Sequence, residues 1–208
     1  MADPKLHHYV PQFYLRRFTD PAERLWVWDR ISDRVFRTQP KAVAAESNFY
    51  LLPQLAEQGS DPVEMERQFA DLEGQVSAIT GQWLKWIRHG NPGDLLPVPD
   101  VNREIVSLFL ALQSLRTADA RSILAAFSAL HGYQDDSDEE IRSLHAAALW
   151  DDEFISSFAD HMSRCAWLFA LNETPVRFVT SDNPLAFRTS DHRMWVKPGN
   201  LSEDAYVV

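Results

Sequence analysis

Residues 61–90 read DPVEMERQFADLEGQVSAITGQWLKWIRHG. Met65, Phe69, Leu72, Val76, Ile79, Trp83 and Trp86 or Ile87 recur at the spacing of one helical face. Asp61 is a good N-cap and Pro62 suits a first turn, while Gly90-Asn91-Pro92-Gly93 is a strong stop. The spacing predicts a helix over 62–89, the longest element of the chain. Working outward toward the C-terminus, a second helix starts near Asp100 and runs through Arg116. It continues, bent or interrupted around Thr117 to Asp119, to about Leu130. Ser137 with Glu140 three residues on has the form of a capping box and opens a third helix. A fourth begins near Asp151 or Asp152 and ends before Cys165. Residues 62–163 thus form a helical block.

Strand signals flank this block on both sides. Leu25-Trp26-Val27-Trp28 and Val35-Phe36-Arg37-Thr38 are aromatic and β-branched, with Ser32-Asp33 in the turn between them, and read as a hairpin. A short helix entered at Pro11 is expected over residues 9–18, and a short strand over 48–52, ended by Pro53. After the block, 166–171 and 176–180 read as strands, with weaker candidates at 194–196 and 206–208. The expected fold is α+β, an antiparallel sheet built from the N- and C-terminal segments with the helical block between them. One domain over 1–208 is expected, and the stop at Tyr206-Val207-Val208 in mid-strand suggests a truncated C-terminus.

Composition sets the outer bounds. The chain has 208 residues, 45% of them hydrophobic and 12% aromatic, enough for a packed core. The clean apolar run at 105–112 contains Ser107 and falls well short of the roughly 18 residues of a membrane span. No membrane association is therefore expected. A polar leader and a single cysteine, Cys165, fit a cytoplasmic setting, with Cys165 read as a small core residue. The net charge of −10 makes nucleic acid an unlikely partner, since phosphate backbones call for a basic face.

Four patterns carry chemistry. His7-His8 stands just before the first helix, where adjacent histidines are either exposed and inert or acid–base groups. On the second helix Ile105, Leu108, Phe109 and Leu112 form an apolar stripe. Arg116 projects within roughly 20° of its middle, with Gln113 on its edge. An inward guanidinium keeps its charge, so it needs an acidic or carbonyl partner or an anionic ligand. Thr180-Ser181-Asp182-Asn183-Pro184 follows an apolar run, either as a ligand loop or as a self-bonded Asx turn. Ser181 lacks a Gly-x-Ser-x-Gly setting. Glu66 and Glu73, seven residues apart, share a helical flank, and Glu73 with a histidine could hold a divalent metal. The phosphate-loop, dinucleotide, Cys-x-x-Cys and His-Glu-x-x-His signatures are absent from the sequence.

HHYVPQFYLRRF, WVWDR with RVFRTQP and NFY, QSLRT and FVTSDNP, taken in order, resemble the domain of unknown function 4238 family, which is widespread and mostly bacterial. The resemblance covers nearly the whole chain. It implies that His7, His8, Tyr9, Pro11, Phe18, Tyr50, Gln113, Arg116, Ser181, Asp182, Asn183 and Pro184 occupy motif positions, and it carries no catalytic assignment. The expectation drawn from the residues is a single polar pocket for a small anionic ligand. Gln113, Arg116, Ser181 and Asn183 would bind it, His7, His8 or Asp182 would act as acid or base, and Glu73 would help hold a metal. Hydrolase-like or phosphoryl-handling chemistry is one reading of that pocket. The other is a ligand-binding or regulatory module without turnover, in a toxin or phage-defence setting.

Overall fold

The computed structural model describes residues 6–47, 49–50, 64–130, 137–189, 195–196 and 205–207. The fold is α+β with a central helical block, and its strands form small antiparallel ladders. The chain divides into two compact units, Met1–Ile105 with Trp167–Val179, and Val106–Ala166 with Thr180–Val208.

In the first unit β1 (Leu6–His8) pairs with β4 (Ala45–Ser47), Leu6 opposite Ser47 and His8 opposite Ala45. Between them lie the single turn α1 (Gln12–Leu15), its 3-10 continuation Arg16–Phe18, and the hairpin β2 (Leu25–Asp29) and β3 (Arg34–Thr38). Pro11 precedes α1, where its missing N–H costs nothing. The hairpin turn is held by the Asp29 carboxylate, which accepts the N–H of Ile31 at 2.9 Å and the hydroxyl of Ser32 at 2.6 Å. Asp33 takes the left-handed conformation (φ 50) that aspartate tolerates. Leu25 is buried with Val10 and Leu15, and Val27, Tyr9, Tyr14, Phe18 and Val43 pack around them. Helix α2 (Glu64–His89) buries Met65, Phe69, Val76 and Trp83, four positions of the face read from the sequence. The Arg17 guanidinium donates to Thr80 Oγ1 at 3.0 Å and ties the 3-10 turn to α2.

The boundary between units falls within α3 (Asp100–Leu115). The second unit continues with α4 (Ala118–Leu130), α5 (Asp138–Leu149) and α6 (Asp152–Arg164). Its strands β5 (Phe187–Thr189), β6 (Trp195–Val196) and β7 (Ala205–Val207) form an antiparallel ladder with β5 in the centre. The break between α3 and α4 falls where the sequence placed it, because Thr117 Oγ1 accepts the N–H of Ala120 at 3.2 Å and caps the new helix. On α6, Ile155, Phe158, Ala159 and Met162 recur at i, i+3, i+4 and i+7. They enclose Ala111 of α3, with Leu108, Leu112, Leu115 and Leu185 at the margin. The capping box at α5 is complete: Ser137 Oγ accepts the Glu140 N–H and the Glu140 carboxylate accepts the Ser137 N–H at 2.6 Å.

Several expectations change. Residues 166–171 and 176–180 form no strands and make no ladder among the described residues. Trp167 and Phe169 instead meet Trp83 of α2 edge-on, each at 5.7 Å between ring centroids, and the Arg103 guanidinium lies over Trp167. The two runs are joined by an Asx turn, in which Asn172 Oδ1 accepts the Thr174 N–H and Nδ2 donates to Val176 O at 2.7 Å. Cys165 is exposed rather than part of the core. It is the C-cap of α6, three residues beyond the buried Met162, and its thiol donates to His161 O. Strand β4 ends at Ser47, with Phe49 and Tyr50 in a turn, so the strand expected at 48–52 does not form there. Asn48, Leu51 and Leu52 lie outside the described residues, as do Asp61 to Val63, Met194 and Val208. Strand β5 has no matching signal in the sequence.

Ser137→Ala should lower the unfolding free energy by about 1 kcal/mol in a denaturant titration. Hydrogen bonds from the Ser137 N–H and then its hydroxyl hold the Glu140 carboxyl below its usual value, outweighing a small opposing effect of burial. A depressed carboxyl stabilises the fold at and above the ordinary glutamate range, and that contribution is lost as pH falls through the lowered value. The variant should therefore lose less stability than the parent on acidification.

Candidate functional site

No residue of α3 from Val106 to Leu115 is exposed, and the two that follow are buried. A helix enclosed on every side must bury its polar side chains with the rest. Here these are Ser107, Gln113 and Ser114, followed at the junction with α4 by Arg116, only 2% exposed, and Thr117. The guanidinium is thus turned inward, as its position on the helix required. It stays charged in any folded protein, and burying such a charge costs several kcal/mol unless polar groups surround it.

The junction is built by local bonds. Ser114 Oγ donates to Ala111 O at 2.6 Å, and the Arg116 N–H bonds Leu112 O at 3.0 Å, which carries the helix one residue further. From α5 the buried His145 donates Nε2–H to Leu115 O at 2.7 Å, satisfying a carbonyl of the last turn that has no partner within the helix. A carbonyl only accepts, so this bond places a proton on Nε2. A guanidinium, a carboxamide, a hydroxyl and an imidazole therefore meet the buried end of one helix and the start of the next. The forked donors of Arg116 match carboxylate or phosphate oxygens, and the first amides of α4 present the positive end of that helix at the same junction.

Ser181, Asp182 and Asn183 belong to the same unit. Leu185 packs on the α3–α6 cluster and so holds the loop's exit beside those helices. The Ser181 hydroxyl donates to Asn183 O at 2.6 Å and lies 3.2 Å from the Asn183 N–H, closing a local turn through the serine rather than through the Asp182 or Asn183 side chain of an Asx turn. Asp182 is exposed and Asn183 half-buried.

His7, His8 and Glu73 lie in the first unit. His7 is completely buried; its Nδ1 accepts the Tyr50 N–H at 2.9 Å, and its ring lies parallel to that of Tyr50. Tyr50 in turn meets Phe69 of α2 edge-on at 5.1 Å, so the imidazole joins β1 to the core of α2. His8 Nε2 donates to Lys41 O at 3.3 Å, and its Nδ1 accepts from the Gln12 amide at 3.5 Å. Glu73 is half-buried, and among the described residues no three His, Cys, Asp or Glu side chains gather to hold a metal. The structure therefore puts Gln113, Arg116 and the 181–183 loop in one unit and the histidines and Glu73 in the other.

Sequence spacing alone did not single out His145, Thr117 stood out only as the start of a bend, and Ser107 only as an interruption of an apolar run. His145 did leave a signal. Ile141, His145 and Leu149 recur every four residues on α5, which places an imidazole in the middle of an apolar stripe. His145→Ala should cost about 1 to 3 kcal/mol in chemical denaturation, the penalty for a buried carbonyl losing its donor. His145→Gln, whose amide can still donate, should recover part of that loss.

No curated protein and no solved structure showed significant similarity to the chain. The family model described as Protein of unknown function (DUF4238) matches residues 6–208, essentially the whole chain. On that match, the chain belongs to the DUF4238 family.

Proposed function

We propose that the α3–α4 junction binds a small ligand bearing a carboxylate or phosphate group, with Arg116 as the charged anchor and Gln113 and Thr117 as orienting groups. The observation that carries this reading is a guanidinium 2% exposed among other buried polar side chains at one helix junction. An apolar core of the same volume is as stable or more so, which makes recognition the better reason for keeping a buried cation there. The chain's net charge of −10 turns the reading away from nucleic acid and toward a small anion met by a local cation.

Binding without turnover is favoured over hydrolase-like or phosphoryl-handling chemistry by the state of the two N-terminal imidazoles. His7 has Nδ1 committed to a backbone amide, and His8 has both nitrogens engaged. In the catalytic version Asp182 is the remaining acid or base, acting beside an anion held by Arg116.

The test is a thermal-shift and calorimetric titration of the full chain with inorganic phosphate and with a dicarboxylate. One of the two should bind saturably and stabilise the protein by about 2.7 kcal/mol at a hundredfold excess over Kd. Arg116→Ala should abolish binding with the far-UV circular dichroism unchanged, and Arg116→Lys should weaken it at least about tenfold. Release of phosphate from an aryl phosphate ester would favour the catalytic version. An Arg116→Ala protein that only unfolds, or one that binds like the parent, makes the residue a structural ion-pair member and ends the proposal.

A further inference from the structure

A buried imidazole that accepts a hydrogen bond can do so in one protonation state only. His7 of β1 is 0% exposed, and its Nδ1 accepts the Tyr50 N–H at 2.9 Å. A backbone N–H can only donate, so Nδ1 holds a lone pair and the ring is neutral with its proton on Nε2. The bond joins segments far apart in the chain. The imidazole lies parallel to the Tyr50 ring with centroids 5.8 Å apart, and Tyr50 meets Phe69 of α2 edge-on. Strand β1 has three residues, and Leu6 at its start is 43% exposed. So short a ladder adds little alone, and the seating of β1 against α2 leans on the imidazole and the Tyr50 ring. Beyond β1 the chain is anchored separately, by the Tyr9 and Val10 N–H groups on Ala44 O and by the buried Val10 side chain.

A proton added to Nδ1 turns the acceptor into a second donor. The ring then sets N–H against N–H and carries a charge at a place closed to solvent, and both effects oppose the seated conformation. The charged groups around it are acids. Glu46 stands opposite His7 on β4, and on α2 Glu66 and Glu73 lie about one turn to either side of Phe69. The other titratable groups at hand are the Tyr50 phenol, in the stacked ring itself, and His8. His8 alternates to the other face of β1, where it bonds Lys41 O and the Gln12 amide. The three carboxylates favour a cation in their neighbourhood, but they do not change what the Tyr50 N–H requires. With the chain seated, the neutral ring wins, as the 2.9 Å bond shows. With the ring swung away from Tyr50, the same carboxylates favour the imidazolium.

We propose that His7 is an acid-sensitive latch: neutral, it seats β1 and the turn at Phe49 and Tyr50 against α2, and protonated, it releases them. The open chain binds a proton that the seated chain does not. The latch is therefore closed above the histidine range and loosens as pH falls through it. The window from pH 7 to pH 5 spans that range and lies above the ordinary carboxylate range.

Hydrogen exchange of the full chain, read at the Tyr50 amide and corrected for the intrinsic rate, tests this. Protection there should fall at least about tenfold from pH 7 to pH 5, within the roughly twenty-five-fold ceiling set by one proton at an ordinary histidine. Amides of α6, in the other unit, should keep their protection over the same range. His7→Asn retains an acceptor near the Nδ1 position that takes up no proton, so its Tyr50 amide should stay protected at pH 5. His8→Asn should behave as the parent does. Nitrogen-15 shifts of the parent's imidazoles need no variant and should show His7 in the Nε2–H form at pH 7. Tyr50 protection that stays flat in the parent, falls equally in His7→Asn, or falls in step with α6 overturns the proposal. So does a His7 ring that carries its proton on Nδ1 at pH 7.

Discussion

From Val106 to Thr117 the backbone runs through an interior that excludes water while carrying Ser107, Gln113, Ser114, Arg116 and Thr117. Each of these groups loses hydration on folding, and a buried polar atom left without compensation costs about 1 to 3 kcal/mol. The architecture of the second unit follows from that constraint. The helix breaks at Thr117, whose hydroxyl starts the next one; α5 brings an imidazole to the last carbonyl; α6 supplies the apolar half of the enclosure. A buried set of polar groups is stable only when its members find partners, so it tolerates change at few positions.

The first unit solves a different problem by different means. Its strands are three to five residues long, too short to define a core by their ladders alone. Ring contacts define it instead, with Tyr9, Phe49, Tyr50 and Phe69 meeting in sequence. His7 takes part as a flat ring with one acceptor nitrogen, a role that a phenyl ring could fill only by leaving the Tyr50 amide without its bond. The histidine pair is thus explained in large part by packing.

Periodicity and capping make the helical block readable from the residues alone. Met65 to Trp83 fix the face of α2, Ser137 and Glu140 fix the start of α5, and Thr117 marks the break between α3 and α4. The hairpin is equally plain from its aromatic and β-branched runs around Ser32-Asp33. The runs at 166–171 and 176–180 mislead because alternation reports only that one side of an extended chain is covered. For Trp167 and Phe169 the cover is the Trp83 ring, not a neighbouring strand. Arg116 is readable as inward-facing because helical angles are fixed by sequence number. Its company is not, because His145 lies twenty-nine residues away and only the tertiary fold sets α5 against that helix end. The 180–184 stretch reads either as a ligand loop or as an Asx turn, and spacing alone does not reveal that Ser181 closes the turn.

The segment at 167–179 separates two properties that usually travel together. In a laddered strand the main chain and the side chains are immobilised by the same pairing. Here the aromatic anchors are seated on an α-helix while the peptide groups have no ladder to shield them among the described residues. Amide protons along the segment should therefore trade rapidly with solvent even while the indole of Trp167 keeps a fixed environment. Low backbone protection and high side-chain order then coexist in the same thirteen residues.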